Sequence, residues 1–526
     1  MPGCSAWSAR SSPARPDQHG RAAHPGPEGR EVTLYQLNTR LRLGELGQAL
    51  GRPATLRDVA DAELDGIAAD GFEWVWLLGI WQTGLAGRKV SRMQPEWQQE
   101  YRELLPDFTP DDVCGSPFAV SDYVVARELG GPGALASLRA RLAARGVKLM
   151  LDFVPNHTAL DHPWARTQPE FYIAGTDADL ARDPRSYCRV ETVTGPRVLA
   201  HGRDPYFPAW PDTLQVNHRH PGLRHAMLEV LGAIAQQCDG LRCDMAMLVL
   251  PDVIERTWGE RTRTADGSPR VDDAFWPAAI DHVRRRRRDF VFMAEAYWDL
   301  EWTLQQQGFD YTYDKRLYDR LRAQDAGAVR GHLLADAEYQ RRCVRFLENH
   351  DEPRAAAVFP AAVHEAAAVV TLLLPGLGLI HDGQRSGRRV RTSNHLCRRA
   401  VEPVDGELAS FYERLFACVR RSGAREGVWR LVDRHPAWSG NSTWDRFIAF
   451  CWQSPSARLL VVVNYGPTPG QCHLRLPWDD LDGRAIVLAD VMAPGMRYER
   501  DGHETARRGL YLDMPAWGHH VFEIVA

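Results

Sequence analysis

Long apolar runs are missing from this 526-residue chain, and none approaches the roughly 20 residues that a transmembrane helix needs. A large excess of one charge sign is also lacking, because 64 Lys and Arg residues nearly balance 68 Asp and Glu residues. Neither a membrane nor a nucleic acid is therefore expected as a partner. The arginine run at 284–288 follows an apparent helix and is better explained as its solvated end than as a nucleic-acid patch.

Closely spaced cysteines are absent as well. The ten Cys residues are scattered without a CxxC pair, so neither a zinc site nor a disulfide framework is predicted, and a reduced, cytoplasmic protein is expected. Neither His157 nor His350 belongs to an HxH or HExxH motif of the kind that holds a catalytic metal. Residues 1–30 are rich in Pro, Gly, Ser and Arg and lack the apolar centre of a secretory signal, so they are predicted to form a disordered tail.

From residue 32 onward, short β-rich runs alternate with helical patterns, which is typical of a parallel sheet built from βα units. One of the intervening helices is followed by Gly146, a residue suited to the left-handed position after a helix. The alternation predicts an α/β fold of the (β/α)8 TIM-barrel type. The eight predicted strands lie within residues 32–38, 72–79, 147–155, 239–246, 289–297, 309–314, 343–351 and 377–383.

Two further units are predicted beside this barrel, which is expected to span residues 31–423. A long segment without periodicity, 157–221, follows the third strand and is predicted to form a small lobe over the carboxyl ends of the strands. In residues 424–526, short apolar or alternating runs are separated by turn residues, which predicts an antiparallel β-sandwich domain.

Charged residues stand at the ends of several predicted apolar strands. The fourth strand, in GLRCDMAMLVL, carries Arg242 and Asp244 two residues apart, so both side chains point to the same side of the sheet. The fifth strand reaches Glu295 and the seventh runs to Asp351. Each acid alone could cap a helix or pair with an arginine, but carboxylates gathered at one barrel mouth destabilise a fold unless function retains them. The sequence therefore predicts an active site there.

These residue types suit cleavage of a glycosidic bond, which needs one ionised and one protonated carboxyl group. Arg242 brings a fixed positive charge beside Asp244 and favours its carboxylate form, so Asp244 is the candidate nucleophile. Glu295 follows the apolar run FVFMA, and partial loss of water is expected to raise its pKa, so it is the candidate general acid/base. Asp351 is expected to accept a hydrogen bond from a substrate hydroxyl.

Four segments, DFVPNH, GLRCDMAML, FMAEAYW and FLENHD, resemble in order the four conserved regions of the α-amylase superfamily, glycoside hydrolase family 13. The resemblance covers residues 31–526. It implies a retaining mechanism on α-glucosidic bonds, with Asp244 as nucleophile, Glu295 as acid/base and Asp351 as transition-state stabiliser. It also implies that Arg242 orients the nucleophile.

The same resemblance implies a set of residues that bind the substrate sugar. His157 and His350 correspond to histidines that hydrogen-bond sugar hydroxyls. Phe118 takes the place of an aromatic residue, commonly Tyr, that stacks on the non-reducing sugar, so stacking is kept while a hydroxyl contact is lost. Tyr123 lies in CGSPFAVSDY, which is similar to the family's segment after the second strand.

Two features depart from the family pattern. Met247 and Leu248 stand where members often have Lys or His in contact with the acceptor, so acceptor recognition is expected to differ. Members often bind calcium, and Asn156 matches one ligand, but no segment shows the spacing of a calcium-binding loop. No metal or other cofactor is therefore predicted, with calcium left open.

The sequence favours a retaining α-glycoside hydrolase that acts on maltooligosaccharides or related glucosides. A glucosyl transferase is an alternative, because hydrolysis and transfer differ only in whether water or a sugar hydroxyl resolves the same covalent intermediate. A non-catalytic carbohydrate-binding barrel is a second alternative, although both the nucleophile and acid candidates are present. A metal-dependent hydrolase with His157, His350 and the acids as ligands is a third. The oligomeric state is left open.

Overall fold

A closed barrel of eight parallel strands forms the centre of the molecule. The computed structural model describes residues 33–263, 266–421 and 423–525, so the tail predicted at 1–30 lies outside the described residues. Each strand lies within one of the eight predicted runs, and the predicted (β/α)8 fold is confirmed. The strands, in chain order and in order around the ring, are Thr33–Asn38 (β1), Trp74–Leu78 (β2), Lys148–Phe153 (β3), Gly240–Cys243 (β4), Val291–Ala294 (β5), Tyr311–Tyr313 (β6), Cys343–Arg345 (β7) and Leu377–His381 (β8).

Helices surround the barrel because the connections between parallel strands cross on its outside. The helix Gly131–Ala143 buries Leu135, Leu138 and Leu142 at three- and four-residue spacing, and Gly146 beyond it takes a φ of 73°. Among the described residues, no helix is both long and apolar enough to cross a membrane. The main helices of this region are Thr39–Leu50, Asp61–Ala69, Gly131–Ala143, Pro221–Ala235, Pro251–Trp258, Phe275–Arg284, Glu301–Gln306, Lys315–Arg322, Ala326–Leu333, Ala361–Leu373 and Gly406–Arg421.

Two inserted segments extend the mouth of the barrel, one after β2 and one, the lobe, after β3. The first contains a two-stranded sheet and two helices, which are Trp81–Thr83, Val120–Val125, Leu85–Met93 and Pro95–Leu104. The lobe contains a strand pair, two short helices and a hairpin, which are His157–Ala159, Thr213–Gln215, Pro163–Thr167, Asp177–Arg182, Tyr187–Thr192 and Gly195–Ala200. Both follow the carboxyl ends of strands, where a TIM barrel carries its functional site.

The C-terminal part of the chain folds as two antiparallel sheets. Apolar residues of both sheets, among them Phe447, Val462, Leu474 and Leu512, share one core, so the predicted β-sandwich is confirmed. The larger sheet contains, in spatial order, Val428–Leu431, Phe447–Gln453, Arg458–Asn464, His519–Val525, Ala485–Asp490 and Arg497–Asp501. The smaller sheet contains Asp433–Pro436, Gly470–Arg475 and Leu510–Met514.

The other face of the larger sheet packs on the barrel. Trp452 is fully buried there, and its indole Nε1 donates to Leu373 O at 2.8 Å, at the end of the helix Ala361–Leu373. The Tyr465 hydroxyl donates to Leu321 O at 2.7 Å. Phe450 and Trp452 belong to the same apolar cluster as the barrel strands, so barrel and sandwich share a dry interface.

Replacing Trp452 with Phe removes the indole donor from Leu373 O inside this interface. We expect the free energy of unfolding in urea to fall by about 1–3 kcal/mol, since a buried carbonyl then loses its partner. The control is Trp438→Phe, because Trp438 is largely exposed and its replacement should change the value by less than about 0.5 kcal/mol. Equal losses in the free energy of unfolding for the two substitutions would contradict a buried hydrogen bond from Trp452 at this interface.

Candidate active site

The carboxyl ends of neighbouring strands bring the predicted acids to one mouth of the barrel. Strand β4 pairs in parallel with β3 on one side and with β5 on the other. Asp244 directly follows β4 and Glu295 directly follows β5, so the two acids are neighbours across the sheet. Arg242 lies two residues before Asp244 and shares its face of the strand, which places all three side chains on the inside of the barrel.

Arg242 joins the two acids through one guanidinium group. Its Nη1 donates to Asp244 Oδ1 at 2.5 Å, and its Nη2 lies 2.7 Å from Glu295 Oε2. All three residues are buried, with exposed fractions of 0%, 4% and 3% for Arg242, Asp244 and Glu295. Carboxyl groups on the two Nη atoms of one guanidinium lie within a few ångströms of each other, as the two acids of a retaining glycosidase must.

Three aromatic rings enclose the Arg242 guanidinium. Its carbon Cζ lies 5.3 Å from the ring centroid of Trp76, 5.2 Å from that of Phe118 and 5.8 Å from that of Tyr313. Arg242 Nε also donates to the Tyr313 hydroxyl at 3.4 Å. The rings fix the guanidinium and keep water away, so its charge acts strongly on the two acids. Phe118, predicted to bind substrate, thus lies at the site.

Glu295 accepts hydrogen bonds inside a dry pocket. Its Oε2 accepts from the Met245 backbone N–H at 2.6 Å, and its Oε1 accepts from the Tyr297 hydroxyl at 2.9 Å. Burial raises the pKa of Glu295 to about 8; the charge of Arg242 opposes this rise and that of Asp244 adds to it. A carboxyl group with this pKa keeps its proton at neutral pH.

Asp351 and His350 stand on the loop after β7. Asp351 keeps 39% of its side chain exposed and accepts from Asn394 Nδ2 at 3.3 Å. The protein walls displace water from its carboxyl group and raise its pKa to about 6, against the attraction of Arg242. The Gln36 amide donates to His350 Nδ1 at 2.7 Å, which leaves the imidazole proton on Nε2, 3.0 Å from Asp351 Oδ2.

The remaining predicted residues lie on the β3 side of the mouth. His157 is buried with its ring centroid 5.0 Å from that of Trp210, and burial lowers its pKa, so the imidazole is neutral. The Tyr123 hydroxyl accepts from the Val154 N–H at 2.9 Å and donates to Val154 O at 3.0 Å, and its ring lies against those of Trp81 and Phe153. Asp152 is buried and accepts from two groups of the β2 region, so its role is structural.

Sequence patterns did not single out several contacts of the site. Tyr313 ends β6, where a core role explains a buried tyrosine equally well. Met245 contributes a backbone N–H, and its φ of 41° lets that N–H reach Glu295. Asn394 lies in the loop after β8, outside all of the motifs. A side-chain pattern cannot reveal a backbone donor or a distant loop.

A cavity of about 760 Å³ opens beside Met245 and Tyr297, the two residues that donate hydrogen bonds to Glu295. Barrel loops and the inserted lobe both line it, and its walls include Met245, Tyr297, Trp298 and Phe207. Met247 and Leu248, which depart from the family pattern, are buried in the turn 246–249 and do not line it. The aromatic walls of this cavity therefore come from Tyr297, Trp298 and Phe207 and not from the segment that departs from the family pattern.

Within the described ranges, no group of three or more His, Cys, Asp or Glu side chains is arranged to hold a metal ion. Asn156, the match to a family calcium ligand, has its Oδ1 engaged by a hydrogen bond from Gln215 Nε2 at 2.9 Å. Asn156 thus ties the end of β3 to a strand of the lobe.

The family described as alpha amylase, catalytic domain, matches residues 110–404, which is more than half of the chain. This range contains all four motifs and the acids Asp244, Glu295 and Asp351. The chain therefore belongs to the α-amylase family, as its motifs indicated.

Individual relatives are similar over much of the chain. Alpha-amylase MalA of Haloarcula japonica is 28% identical over 346 residues, which cover 64% of this chain and 46% of that protein. The structure of a maltogenic alpha-amylase, AmyB, from Thermotoga neapolitana has a TM-score of 0.65 and 19% identity, covering 94% of this chain and 99% of AmyB. The structure of a MutB variant in complex with isomaltulose has a TM-score of 0.62 and 16% identity, and the match covers 94% of this chain and 99% of the MutB chain. The structures share the fold, and the chain spans about half the length of the curated relatives it matches.

Replacing Glu295 with Gln should change how stability depends on pH. Burial raises the pKa of this carboxyl group from the ordinary 4.5 to about 8, so between these values it ionises in the unfolded chain but not in the fold. The contribution of the protonated Glu295 to the stability of the wild type is therefore lost as pH rises through this window. The glutamine of Glu295→Gln cannot ionise. The free energy of unfolding of this variant should therefore exceed that of the wild type by on the order of 2–4 kcal/mol near pH 8, and by little near pH 4.

Urea unfolding of both proteins at several pH values from 4 to 8 measures this gain. The control is Glu128→Gln, since Glu128 is exposed and its replacement makes the same chemical change at the surface. A difference between Glu295→Gln and wild type that does not vary with pH would rule out a buried, protonated Glu295.

Proposed function

We propose that the protein is a retaining glycoside hydrolase that cleaves α-glucosidic bonds of maltooligosaccharides or related glucosides. The observation that carries this proposal is the single guanidinium of Arg242 bound to both Asp244 and Glu295. Both acids contact this fixed cation, and burial raises the pKa of Glu295 to about 8, so Glu295 keeps the proton that the acid of a double displacement must give. Similarity to an alpha-amylase and to a maltogenic alpha-amylase supports the substrate class.

In the first step, the Asp244 carboxylate forms a bond to the anomeric carbon while the glycosidic C–O bond breaks. Glu295 gives its proton to the departing oxygen, so the leaving sugar departs as an alcohol. Glu295 becomes negatively charged at this moment. Arg242, the Met245 N–H and the Tyr297 hydroxyl already point at its carboxyl oxygens and stabilise that charge without reorganising.

In the second step, Glu295 takes a proton from water as the water oxygen attacks the anomeric carbon. The ester bond to Asp244 breaks, and the two inversions together retain the anomeric configuration. Asp351 and the neutral His350 are placed to exchange hydrogen bonds with sugar hydroxyls, while Phe118 offers a ring face to the sugar. His157 and Tyr123 complete the sugar-binding side in this proposal.

A cytoplasmic location belongs to the same proposal. The nine cysteines among the described residues are all free, which suits a reducing compartment.

A glucosyl transferase that uses the same intermediate is the second candidate, and the cavity beside Met245 and Tyr297 favours it. A volume of about 760 Å³ with Trp298 and Phe207 in its walls can hold a sugar acceptor next to the covalent intermediate. Incubation with maltotetraose separates the two activities, because transfer yields products longer than the substrate whereas hydrolysis yields only shorter ones.

Replacing Glu295 with Gln removes the proton donor but keeps the nucleophile. Hydrolysis of maltotetraose should fall by about 10²- to 10⁴-fold, the usual contribution of a general acid. α-Glucosyl fluoride should still glucosylate Asp244, because fluoride leaves without a proton. Mass spectrometry of the intact protein should then show one added hexosyl group.

Asp244→Asn is the matched comparison, since it keeps the acid and removes the nucleophile. It should hydrolyse neither substrate and should gain no hexosyl group, while its circular dichroism stays that of the wild type. Labelling of Asp244→Asn, or a first product of inverted configuration by NMR with the wild type, would overturn the assignment.

Tyr297→Phe tests the contact to the acid. The Tyr297 hydroxyl donates to Glu295 Oε1 at 2.9 Å and so favours the ionised carboxylate. Its loss should raise the pKa of Glu295 further, and the alkaline limb of kcat/KM, expected near pH 8, should move up by about 0.5–1 pH unit. A pH profile from 5 to 10 measures the limb, with Tyr511→Phe in the sandwich as control. A limb that stays in place or moves down would argue against this contact.

A further inference from the structure

A second cavity, of about 590 Å³, lies outside the barrel and away from the catalytic acids. It is bounded by the outer side of β1, the residues after β8, and the helices Thr39–Leu50, Asp61–Ala69 and Gly406–Arg421. None of Asp244, Glu295 and Asp351 lines it. Its volume lies within the range of roughly 300–1,000 Å³ that is typical of small-molecule sites.

Three aromatic residues line one part of this cavity. The ring centroids of Tyr35 and Phe72 lie 5.2 Å apart, and those of Phe72 and Phe416 lie 5.3 Å apart, so the rings form one continuous apolar patch. Phe72 and Phe416 are buried and support the half-buried Tyr35, whose exposed ring surface can pack against the apolar side of a pyranose ring.

The rest of the lining is polar and nearly balanced in charge, with four arginines and five acids. Most of these side chains are held in ion pairs, which include Arg42 with Glu63 at 2.7 Å, Arg385 with Asp70 at 2.5 Å, and Arg399 with Asp382 at 2.6 Å. A charged ligand would have to compete with a partner already in place. A neutral sugar can instead accept from the arginines and donate to the acids with its hydroxyls.

We propose that this cavity is a second carbohydrate-binding site, which takes a neutral mono- or disaccharide. The combination of an aromatic patch with paired donors and acceptors matches the two faces of a pyranose, one apolar and one edged by hydroxyls. The inference rests on the lining of the cavity and does not depend on the proposed reaction.

Two short routes connect the cavity to the catalytic loop. In the first, Asp382 accepts from the Tyr35 hydroxyl at 2.5 Å through its carboxylate and from Arg354 Nη1 at 2.8 Å through its backbone oxygen. Arg354 pairs with the buried Glu348 at 2.6 Å, and Glu348 lies three residues before Asp351. A sugar that fixes Asp382 therefore restrains the start of the loop that carries Asp351.

The second route runs through β1. Tyr35 lines the cavity on the outside of the barrel, whereas the next residue, Gln36, points inward and donates to His350 Nδ1 at 2.7 Å. Both routes end on the loop that presents His350 and Asp351. Occupation of the cavity therefore stabilises that loop, which couples the two sites.

Gly66→Phe provides a variant that fills the cavity. Gly66 lines the cavity from the helix Asp61–Ala69, and a Cβ atom added there would meet no atom within 4 Å. Gly331→Phe is the matched control, because Gly331 lies in the helix Ala326–Leu333, has equally open space and does not line the cavity. Ala409→Trp fills the cavity from the opposite helix and serves if Gly66→Phe fails to fold.

Isothermal titration with maltose, each variant carrying Asp244→Asn so that the sugar is not consumed, counts the sites. We expect two sites in Asp244→Asn and in the Gly331→Phe control, and the loss of one site in Gly66→Phe or Ala409→Trp. If the catalytic mouth did not bind maltose, the control would show one site and the filled variant none, which still supports the cavity. Equal numbers of sites in filled and control variants would overturn the proposal, as would binding of inorganic phosphate but not maltose at the cavity.

Hydrogen exchange of the amides in 346–356 tests the coupling on the same proteins. Maltose should slow exchange more in the control than in the filled variants, because only the control can bind sugar in the cavity. Equal slowing in all of them would contradict the coupling.

Discussion

The Arg242 guanidinium, enclosed by three aromatic rings and shared between Asp244 and Glu295, is the interaction on which the site depends. One positive charge can balance one carboxylate in a dry environment. A second, uncompensated carboxylate there would cost several kcal/mol, so the second acid keeps its proton instead. Glu295 is this second acid, because the loss of water around its carboxyl group raises its pKa to about 8. Two chemically similar side chains thereby acquire opposite roles.

The barrel makes this arrangement possible because it brings distant parts of the chain to one point. The acids sit at the ends of adjacent parallel strands, while the rings around Arg242 come from β2, from the loop that carries Phe118 and from β6. The loop after β7 adds Asp351 from the opposite wall. Closure of the barrel therefore fixes both the distance between the acids and the dryness that separates their protonation states.

Much of this could be predicted from the sequence. The barrel strands are apolar on both faces and bounded by turns, and Asp244, Glu295 and Asp351 interrupt or end such runs. The sandwich strands at 428–431, 433–436 and 497–501 were not predicted, because exposed and often charged residues dominate them; Arg497–Asp501 has no buried residue. The strand at 485–490 was also not predicted, although half of its residues are buried. Tyr313 was missed since a buried tyrosine in a strand is usually part of the core. The Met245 N–H was missed because a backbone donor has no side-chain signature.

Neutron diffraction of deuterated crystals at pH 7 tests the shared guanidinium most directly, since it locates each proton. The predicted result is a deuteron on a carboxyl oxygen of Glu295 and none on Asp244, with a fully charged Arg242 between them. Two bare carboxyl groups, or a deuteron on Asp244 with Glu295 ionised, would contradict the division of roles between the two acids.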